Sequence, residues 1–258
     1  MKIAVTGKGG VGKTTLAATL AKLFAKDGYN VIALDADPDA NLAQTLGISE
    51  EKQKELIPIA EMKTLINERT GKDEDGVGNF FRLNPKVDDI PQKYALNHEG
   101  IKLLVLGKVH QGGSGCYCPE NVFLKSLLSH LIIQSEDIVI VDMEAGIEHL
   151  TRGSSRSVDF LIVVVEPGTK SLQTAKTIYK LAKDLGIKNI YSVGNKILKD
   201  DEKEFLKNSI PEIPFLGFIP YKEKIIEADL KSIPPYQNCP ELVEEVQKIK
   251  DNLILKKL

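Results

Sequence analysis

The stretch Gly7-Lys8-Gly9-Gly10-Val11-Gly12-Lys13-Thr14 constrains the fold of this 258-residue chain more than any other segment. It fits the phosphate-binding pattern of glycine, four residues, glycine, lysine, and serine or threonine. A short apolar run precedes it at residues 3–6, and an amphipathic stretch of helical period follows at residues 13–26. The sequence therefore predicts a strand, a glycine loop and a helix in succession, which is the start of a parallel α/β sheet.

The residue types in this loop suit a polyphosphate ligand. Glycines let backbone N–H groups converge on phosphate oxygens without a clash from Cβ, and the helix N-terminus adds partial positive charge. Lys13 can reach the β- and γ-phosphates, and the Thr14 hydroxyl can ligate Mg²⁺. A glycine turn that binds nothing is the alternative, but the motif and its context together favour a site for ATP or ADP. The predicted nucleotide contacts in the loop are Gly9, Gly10, Val11, Gly12, Lys13, Thr14 and Thr15.

The rest of the chain alternates short apolar runs with amphipathic stretches. The runs predict strands at residues 3–6, 31–35, 101–106, 138–142, 160–165, 190–193 and 215–219. Helices are predicted between them, for example at residues 13–26, 121–134 and 171–185. We therefore expect one α/β domain over residues 1–258, with a mostly parallel central sheet and helices on both faces.

Residues 49–108 depart from this alternation, and we interpret them as an elaboration on the main sheet. They predict a helix over residues 50–69, a turn at residues 71–78 and a short strand pair around residues 80–83. At the other end of the chain, Leu242, Val246, Ile249 and Leu253 form an apolar stripe that predicts a docked terminal helix. A membrane-anchoring helix is the alternative, but four acidic residues balance four lysines there, whereas an anchor usually needs a basic polar face.

Composition excludes several classes of function. The formal charge is −2, so no excess of positive charge points to nucleic acid or an anionic membrane. No targeting or membrane-spanning segment is visible, and we expect a cytoplasmic protein without a nucleic-acid or membrane partner. Three cysteines rule out a disulfide framework.

Two of the cysteines, Cys116 and Cys118, stand two residues apart in a glycine-rich tract at residues 112–119. Residues two apart share one side of an extended chain, so both thiolates can face one metal ion. One chain then supplies two ligands, whereas closed thiolate sites usually have four, and a two-fold axis beside the motif would complete the set. Two unrelated loop thiols are the alternative, and we interpret Cys239 as structural or incidental.

The second lysine of the loop, Lys8, resembles the deviant Walker A signature of the MinD/ParA-like ATPases. In that group the signature lysine reaches the nucleotide of a partner subunit, so the resemblance implies an ATP-sandwich homodimer. It also implies that Asp37, in switch I, orients the attacking water or accepts its proton close to the Mg²⁺; an acidic turn that caps the next helix is the alternative. Asp142, in the Walker B strand, would hold the Mg²⁺, and Thr14, Asp37 and Asp142 would each act on the ion directly or through a water. Ala145 and Gly146 would then form switch II. The resemblance further implies that Asn195, Pro220 and Tyr221 contact the adenine, and it makes Lys8, Lys13 and Asp37 the candidate catalytic residues.

The Cys-Tyr-Cys tract and the stretch from Asp142 to Gly153 are similar to CooC-type nickel-insertion ATPases of carbon monoxide dehydrogenase maturation. This resemblance implies an ATP-dependent metallochaperone that binds Ni²⁺ through Cys116 and Cys118 of both subunits and delivers it to a client nickel enzyme. Zn²⁺ can occupy the same thiolate site. Glu144 is a departure, because we expect glycine at this position of switch II.

Other functions are compatible with the same phosphate loop. A chaperone for acetyl-CoA synthase or another nickel enzyme has the same sequence features. A ParA- or MinD-type positioning ATPase would leave the cysteine pair unexplained. An iron–sulfur protein like the nitrogenase iron protein would need another cysteine beyond switch II, and residues 142–156 contain none. An Mrp-type scaffold would need a second cysteine near Cys239.

Overall fold

The computed structural model describes residues 1–71, 82–107, 118–133, 135–145 and 158–257. The strands are β1 (Lys2–Gly7), β2 (Val31–Ala36), β3 (Leu96–His98), β4 (Ile101–Val105), β5 (Ile138–Met143), β6 (Phe160–Val165), β7 (Ile190–Ile197) and β8 (Phe215–Pro220). They form one sheet in the order β3-β4-β2-β5-β1-β6-β7-β8. Every pairing is parallel except that of β3 with β4. The predicted fold class is confirmed.

The longer helices cover both faces of this sheet. They are α1 (Lys13–Lys26), α4 (Lys63–Thr70), α6 (Pro119–Ile133), α7 (Thr169–Asp184), α8 (Asp200–Ser209), α9 (Glu223–Leu230) and α11 (Pro240–Lys257). Short helices are α2 (Leu42–Thr45), α3 (Glu50–Gln53), α5 (Ile90–Tyr94) and α10 (Pro235–Asn238), with a 3₁₀ turn at Ile59–Glu61. No helix among the described residues is both long and apolar enough to cross a bilayer.

The central strands β1, β2, β5 and β6 are buried on both faces because their alternate side chains pack into two cores. On β1, Ile3 and Val5 pack beneath α1 and α11, whereas Ala4 faces the opposite core under α6 and α7. The predicted stripe of α11, with Val246 and Ile249 at its centre, is buried in the first of these cores. The terminal helix therefore docks as expected.

The elaboration at residues 49–108 differs from its prediction. The single helix expected over residues 50–69 is wrong, because Pro58 lacks an N–H and its extended backbone divides the segment into α3, the 3₁₀ turn and α4. The expected strand pair is not seen at Arg82 and Leu83, while residues 80 and 81 lie outside the described residues. The strand that the sequence missed is β3, which turns into β4 through Glu99 and Gly100.

Candidate nucleotide site

The phosphate loop leaves the carboxyl end of β1, at the centre of the sheet, and enters α1 at Lys13. Gly10 and Gly12 have φ angles of 77° and 95°, a region that side chains other than glycine disfavour. Gly7 approaches β6 so closely that a Cβ there would collide with the Val164 carbonyl oxygen. Glycine at these positions is therefore needed for the loop to lie against the sheet.

Lys13 and Asp37 face each other at the start of α1. The Lys13 side chain is almost fully buried, and its Nζ lies 3.8 Å from Asp37 Oδ2. The other oxygen of Asp37 accepts a hydrogen bond of 3.0 Å from the backbone N–H of Asp39, which fixes the carboxylate just after β2. Two of the three predicted catalytic residues are thus brought together at the loop.

Asp35 and Asp142 lie side by side in register on β2 and β5, and both side chains are fully buried. Asp35 accepts hydrogen bonds from the backbone N–H groups of Asp37 at 3.1 Å and Leu42 at 2.9 Å. Burial nevertheless raises its pKa to about 6. The sequence did not single out Asp35, although an acid near the end of an apolar strand was the available signal. Its role here is to hold the turn that carries Asp37.

The Asp142 carboxylate has no hydrogen-bond partner for either oxygen among the described residues. Burial raises its pKa to about 7, against the opposing influence of the nearby Thr14 hydroxyl and Lys13 ammonium. A buried, unpartnered carboxylate beside a threonine hydroxyl provides the oxygen ligands that Mg²⁺ prefers. Thr14 and Asp142 are therefore the residues that would hold a magnesium ion, with Asp37 next to them, and the donor set fits that ion. When bound, Mg²⁺ supplies positive charge to the phosphates.

A cavity of about 680 Å³ opens beside the loop, which is ample for a nucleotide. The predicted adenine contacts Asn195, Pro220 and Tyr221 all line it, at the ends of β7 and β8. The Val11 side chain is instead fully buried in the core, so only its backbone is available to a ligand. The remaining predicted loop contacts in the cavity wall are Gly9, Gly10, Gly12, Lys13, Thr14 and Thr15.

Lys8 contacts a side chain of the same chain. Its Nζ donates to Glu166 Oε1 at 3.2 Å, and Lys196 Nζ donates to the other oxygen of the same carboxylate at 3.1 Å. Partial burial opposes ionisation of Glu166, but hydrogen bonds from the two lysines lower its pKa below the usual range. Sequence reasoning missed Glu166 and Lys196 as partners of the loop, because both are more than 150 residues from it along the chain.

Switch II and the cysteine tract are only partly described. Thr6 Oγ1 donates a hydrogen bond of 2.6 Å to the backbone oxygen of Glu144, which ties the start of switch II to β1. Gly146 and Cys116 lie outside the described residues, whereas Cys118 is a partly exposed free thiol just before α6. The part of the chain that the structure describes holds no group of three or more His, Cys, Asp and Glu side chains that could by themselves hold a metal ion.

Comparison with known proteins decides the family. The family model described as the CobQ/CobB/MinD/ParA nucleotide binding domain matches residues 2–235, which is most of the chain. The chain belongs to the CobQ/CobB/MinD/ParA nucleotide-binding family. This confirms the predicted family resemblance, and the chain is a P-loop ATPase of that family.

Two relatives and one solved structure show how closely the family members agree. The chain is 47% identical over 240 residues to the carbon monoxide dehydrogenase accessory protein CooC of Rhodospirillum rubrum, covering 93% of this chain and 91% of that protein. It is 45% identical over 257 residues to an uncharacterized ATP-binding protein of Methanocaldococcus jannaschii, covering 98% of both. A chain of the MinC:MinD cell division protein complex of Aquifex aeolicus has the same fold, with a TM-score of 0.69 at 20% identity over 98% of this chain and 96% of that chain.

Proposed function

We propose that this chain is an ATP-dependent metallochaperone that binds nickel and inserts it into carbon monoxide dehydrogenase. The observation that carries the proposal is the 47% identity to the CooC accessory protein over 93% of the chain. The cytoplasm is the compartment we propose for it, with no nucleic-acid or membrane partner. The alternative client is another nickel enzyme, such as acetyl-CoA synthase. The genes that neighbour the gene for this chain would identify which nickel enzyme it serves.

ATP hydrolysis is the proposed source of the switch. Lys13 binds the β- and γ-phosphates, and Asp37, held next to it, orients the water that attacks the γ-phosphorus. The products are ADP and inorganic phosphate. Two subunits close on their nucleotides, and Lys8 of each leaves Glu166 to reach the partner's ATP.

Nickel is the cargo of this cycle, and the proposed site is formed by Cys116 and Cys118 from both subunits. Cys118 is partly exposed and begins the segment that leads into α6, so its thiol is accessible to a metal. Closing and opening the dimer change the affinity of a shared thiolate site, and such a differential affinity is what can drive delivery. Zn²⁺ binds the same ligand type and is the competing ion.

The test is a metal titration of the double variant Cys116→Ala/Cys118→Ala against Cys239→Ala, which removes the third cysteine. Cys239 is fully buried in the core, so its substitution controls for the loss of a thiol elsewhere. We expect wild type and Cys239→Ala to bind one Ni²⁺ per two chains when ATP is present. The double variant should bind ATP normally and lose the metal.

Unchanged nickel stoichiometry in the double variant would exclude the shared site. If a monomer of wild-type protein binds one Ni²⁺, the cysteine thiolates remain the proposed ligands, but a site shared across a dimer interface is excluded. A final comparison measures nickel incorporation into the apo-client with ATP and with ADP, and equal incorporation would refute the ATP-driven step.

A further inference from the structure

Two neighbouring side chains of β7 hold two neighbouring carbonyl groups of the phosphate loop. Asn195 Nδ2 donates to the Val11 oxygen and Lys196 Nζ donates to the Gly10 oxygen, each at 2.7 Å. The donors come from the far side of the loop in sequence, more than 180 residues away. The bond to the Val11 oxygen is buried and satisfies a carbonyl that water cannot reach, whereas the bond to the Gly10 oxygen is exposed. Together they fix the orientation of two consecutive peptide groups.

A regular strand could not place both donors on one loop. Successive side chains of a strand point to opposite faces of the sheet, so Asn195 and Lys196 would normally diverge. Here the pairing of β7 with β8 is irregular between Gly194 and Ile197, and Lys196 has a φ angle of 58°. A lysine backbone in this left-handed region is strained. Such strain persists only where surrounding contacts stabilise the conformation, and it clusters at functional sites.

The loop is shaped to receive these donors. A Cβ at Gly12 would collide with the Asn195 amide nitrogen, so glycine permits the close approach of β7. Within each planar trans peptide group the C=O and N–H point in opposite directions. The bond from Asn195 to the Val11 oxygen therefore turns the N–H of Gly12 away from β7, and Gly12 lines the nucleotide cavity.

Glu166 fixes the position of the Lys196 ammonium, which is the second donor. Its Oε2 accepts from Lys196 Nζ, and its backbone N–H donates to Ser171 Oγ at 3.1 Å at the start of α7. The Lys196 ammonium thus lies between a carboxylate on one loop and a carbonyl on another. This charge-assisted arrangement holds a long side chain in one geometry.

We propose that Asn195 and Lys196 form a brace that sets the phosphate-binding conformation of the loop. Both are positioning residues that act through the Gly10 and Val11 carbonyls on the phosphates of the nucleotide. The proposal deepens the nucleotide binding of this family and does not depend on nickel or on the client enzyme. It gives Asn195 a role at the phosphates in addition to the adenine contact that the family resemblance implies.

The test compares Lys196→Met with Lys203→Met, using ADP and adenosine as ligands in displacement of a fluorescent ADP analogue. Lys203 is a matched control because it is as exposed as Lys196 and pairs with Asp200 on the adjoining helix α8. We expect Lys196→Met to weaken ADP about tenfold and to leave adenosine binding unchanged, because adenosine has no phosphate. Lys203→Met should bind both ligands as wild type does.

A second variant, Asn195→Ala, removes the other donor and should also weaken ADP. The double variant should lose less than the product of the two single losses, because both act on one loop. Unchanged ADP affinity in Lys196→Met would overturn the brace. An equal loss of ADP and adenosine in that variant would also overturn it, and thermal melting of each variant separates such a loss from unfolding.

Failure of the brace is distinguishable from failure of the proposed function. If wild-type protein binds ADP tightly but no nickel, the metallochaperone proposal fails and the brace can still be measured. If Lys196→Met binds ADP as wild type does while nickel binds the cysteine pair, only the brace fails.

Discussion

The Asp142 carboxylate is buried near the end of β5 without a hydrogen-bond partner among the described residues, and its pKa is raised to about 7. The unfolded chain has the ordinary value of 3.8, so the folded state binds this proton more tightly. Stability from this group is therefore present at low pH, falls as the pH rises between about 4 and 7, and stays low above that range. The ionised Asp142 carboxylate therefore lowers the stability of the nucleotide-free fold, whereas a metal ion would give it a partner.

We predict that Asp142→Asn stabilises the nucleotide-free protein at pH 8 in EDTA. The variant removes a buried charge at a gain of about 1–3 kcal/mol, or roughly 3–10 °C in Tm for a chain of this size. At pH 4, where the native carboxyl is already protonated, the two proteins should melt together. Thermal unfolding at both pH values measures the effect, and ATP hydrolysis with Mg²⁺ should fall in the same variant.

Asp35→Asn is the contrasting control for that prediction. Asp35 is equally buried, but its two oxygens accept backbone N–H groups from Asp37 and Leu42. An asparagine offers only one acceptor oxygen there, so this variant should be destabilised at pH 8. A gain of stability in both variants, or in neither, would contradict the distinction between a partnered and an unpartnered carboxylate.

At the scale of single residues, sequence predicted the groups that a contiguous motif determines. Gly9 to Thr15 could be assigned to one site because the loop and the start of α1, which line the cavity, come from one short segment. Glu166 and Lys196 could not, because their contact with the loop depends on the order of β1, β6 and β7 in the sheet. Neither residue type nor spacing encodes that order.

Helix α11 shows how a charged side chain can be part of an apolar interface. Lys250 is 1% exposed, with its Nζ 2.6 Å from Asp27 Oδ2 and 5.5 Å from the centre of the Phe24 ring. Its methylene stem packs between α11 and α1 while the ammonium is paired at the end of α1. The interface therefore uses both the apolar and the charged part of this residue.

We predict that Lys250→Ala lowers the free energy of unfolding by about 2–3 kcal/mol, because it removes a buried stem and a cation–π contact. Lys250→Met keeps the volume and should cost less than half as much, since Asp27 remains half exposed to water. Urea unfolding measures both variants. Lys248→Ala, on the exposed side of the same helix, is the control and should change stability by less than about 0.5 kcal/mol. Equal losses in the two alanine variants would contradict the packing role.

At the scale of elements, sequence succeeded where the pattern was regular and failed where one residue interrupted it. The stripe of α11 and the apolar strands followed from periodicity. Pro58 broke the expected long helix, and a proline in the middle of the predicted helix was the signal that should have divided the segment. The hairpin of β3 and β4 was missed because Glu99 and Gly100 form a tight turn with positive φ at both positions, and glutamate is an uncommon residue there.

The whole molecule gathers its site from distant segments because the sheet is parallel. With β5 on one side of β1 and β6 on the other, the carboxyl ends of β1, β2, β5, β6 and β7 meet around the phosphate loop. Acidic groups come from β2 and β5, and the lysine and glutamate partners of the loop come from β6 and β7. Chains of this topology bind ligands at that edge of the sheet.

The pairing of Lys8 with Glu166 bears on association of two such molecules. In the proposed dimer Lys8 must leave Glu166, to which it is bound at 3.2 Å in a single subunit. The pair is partly exposed, so breaking it costs little and the lysine can move. Glu166 keeps Lys196 as a partner when Lys8 departs, which leaves no unpaired charge behind.

We therefore predict that Glu166→Gln shifts ATP-dependent dimerisation to protein concentrations about two- to fivefold lower than wild type, because Lys8 no longer loses an ion pair on closing. Sedimentation velocity at saturating ATP measures the protein concentration at which half of the chains are dimeric. Glu245→Gln is the control, since it removes an exposed ion pair with Lys248 on α11. At about 1 M salt, where a Debye length of about 3 Å screens the Lys8–Glu166 pair, the difference between Glu166→Gln and wild type should disappear. A shift that persists in high salt, or that Glu245→Gln reproduces, would mean that Glu166 does not restrain Lys8.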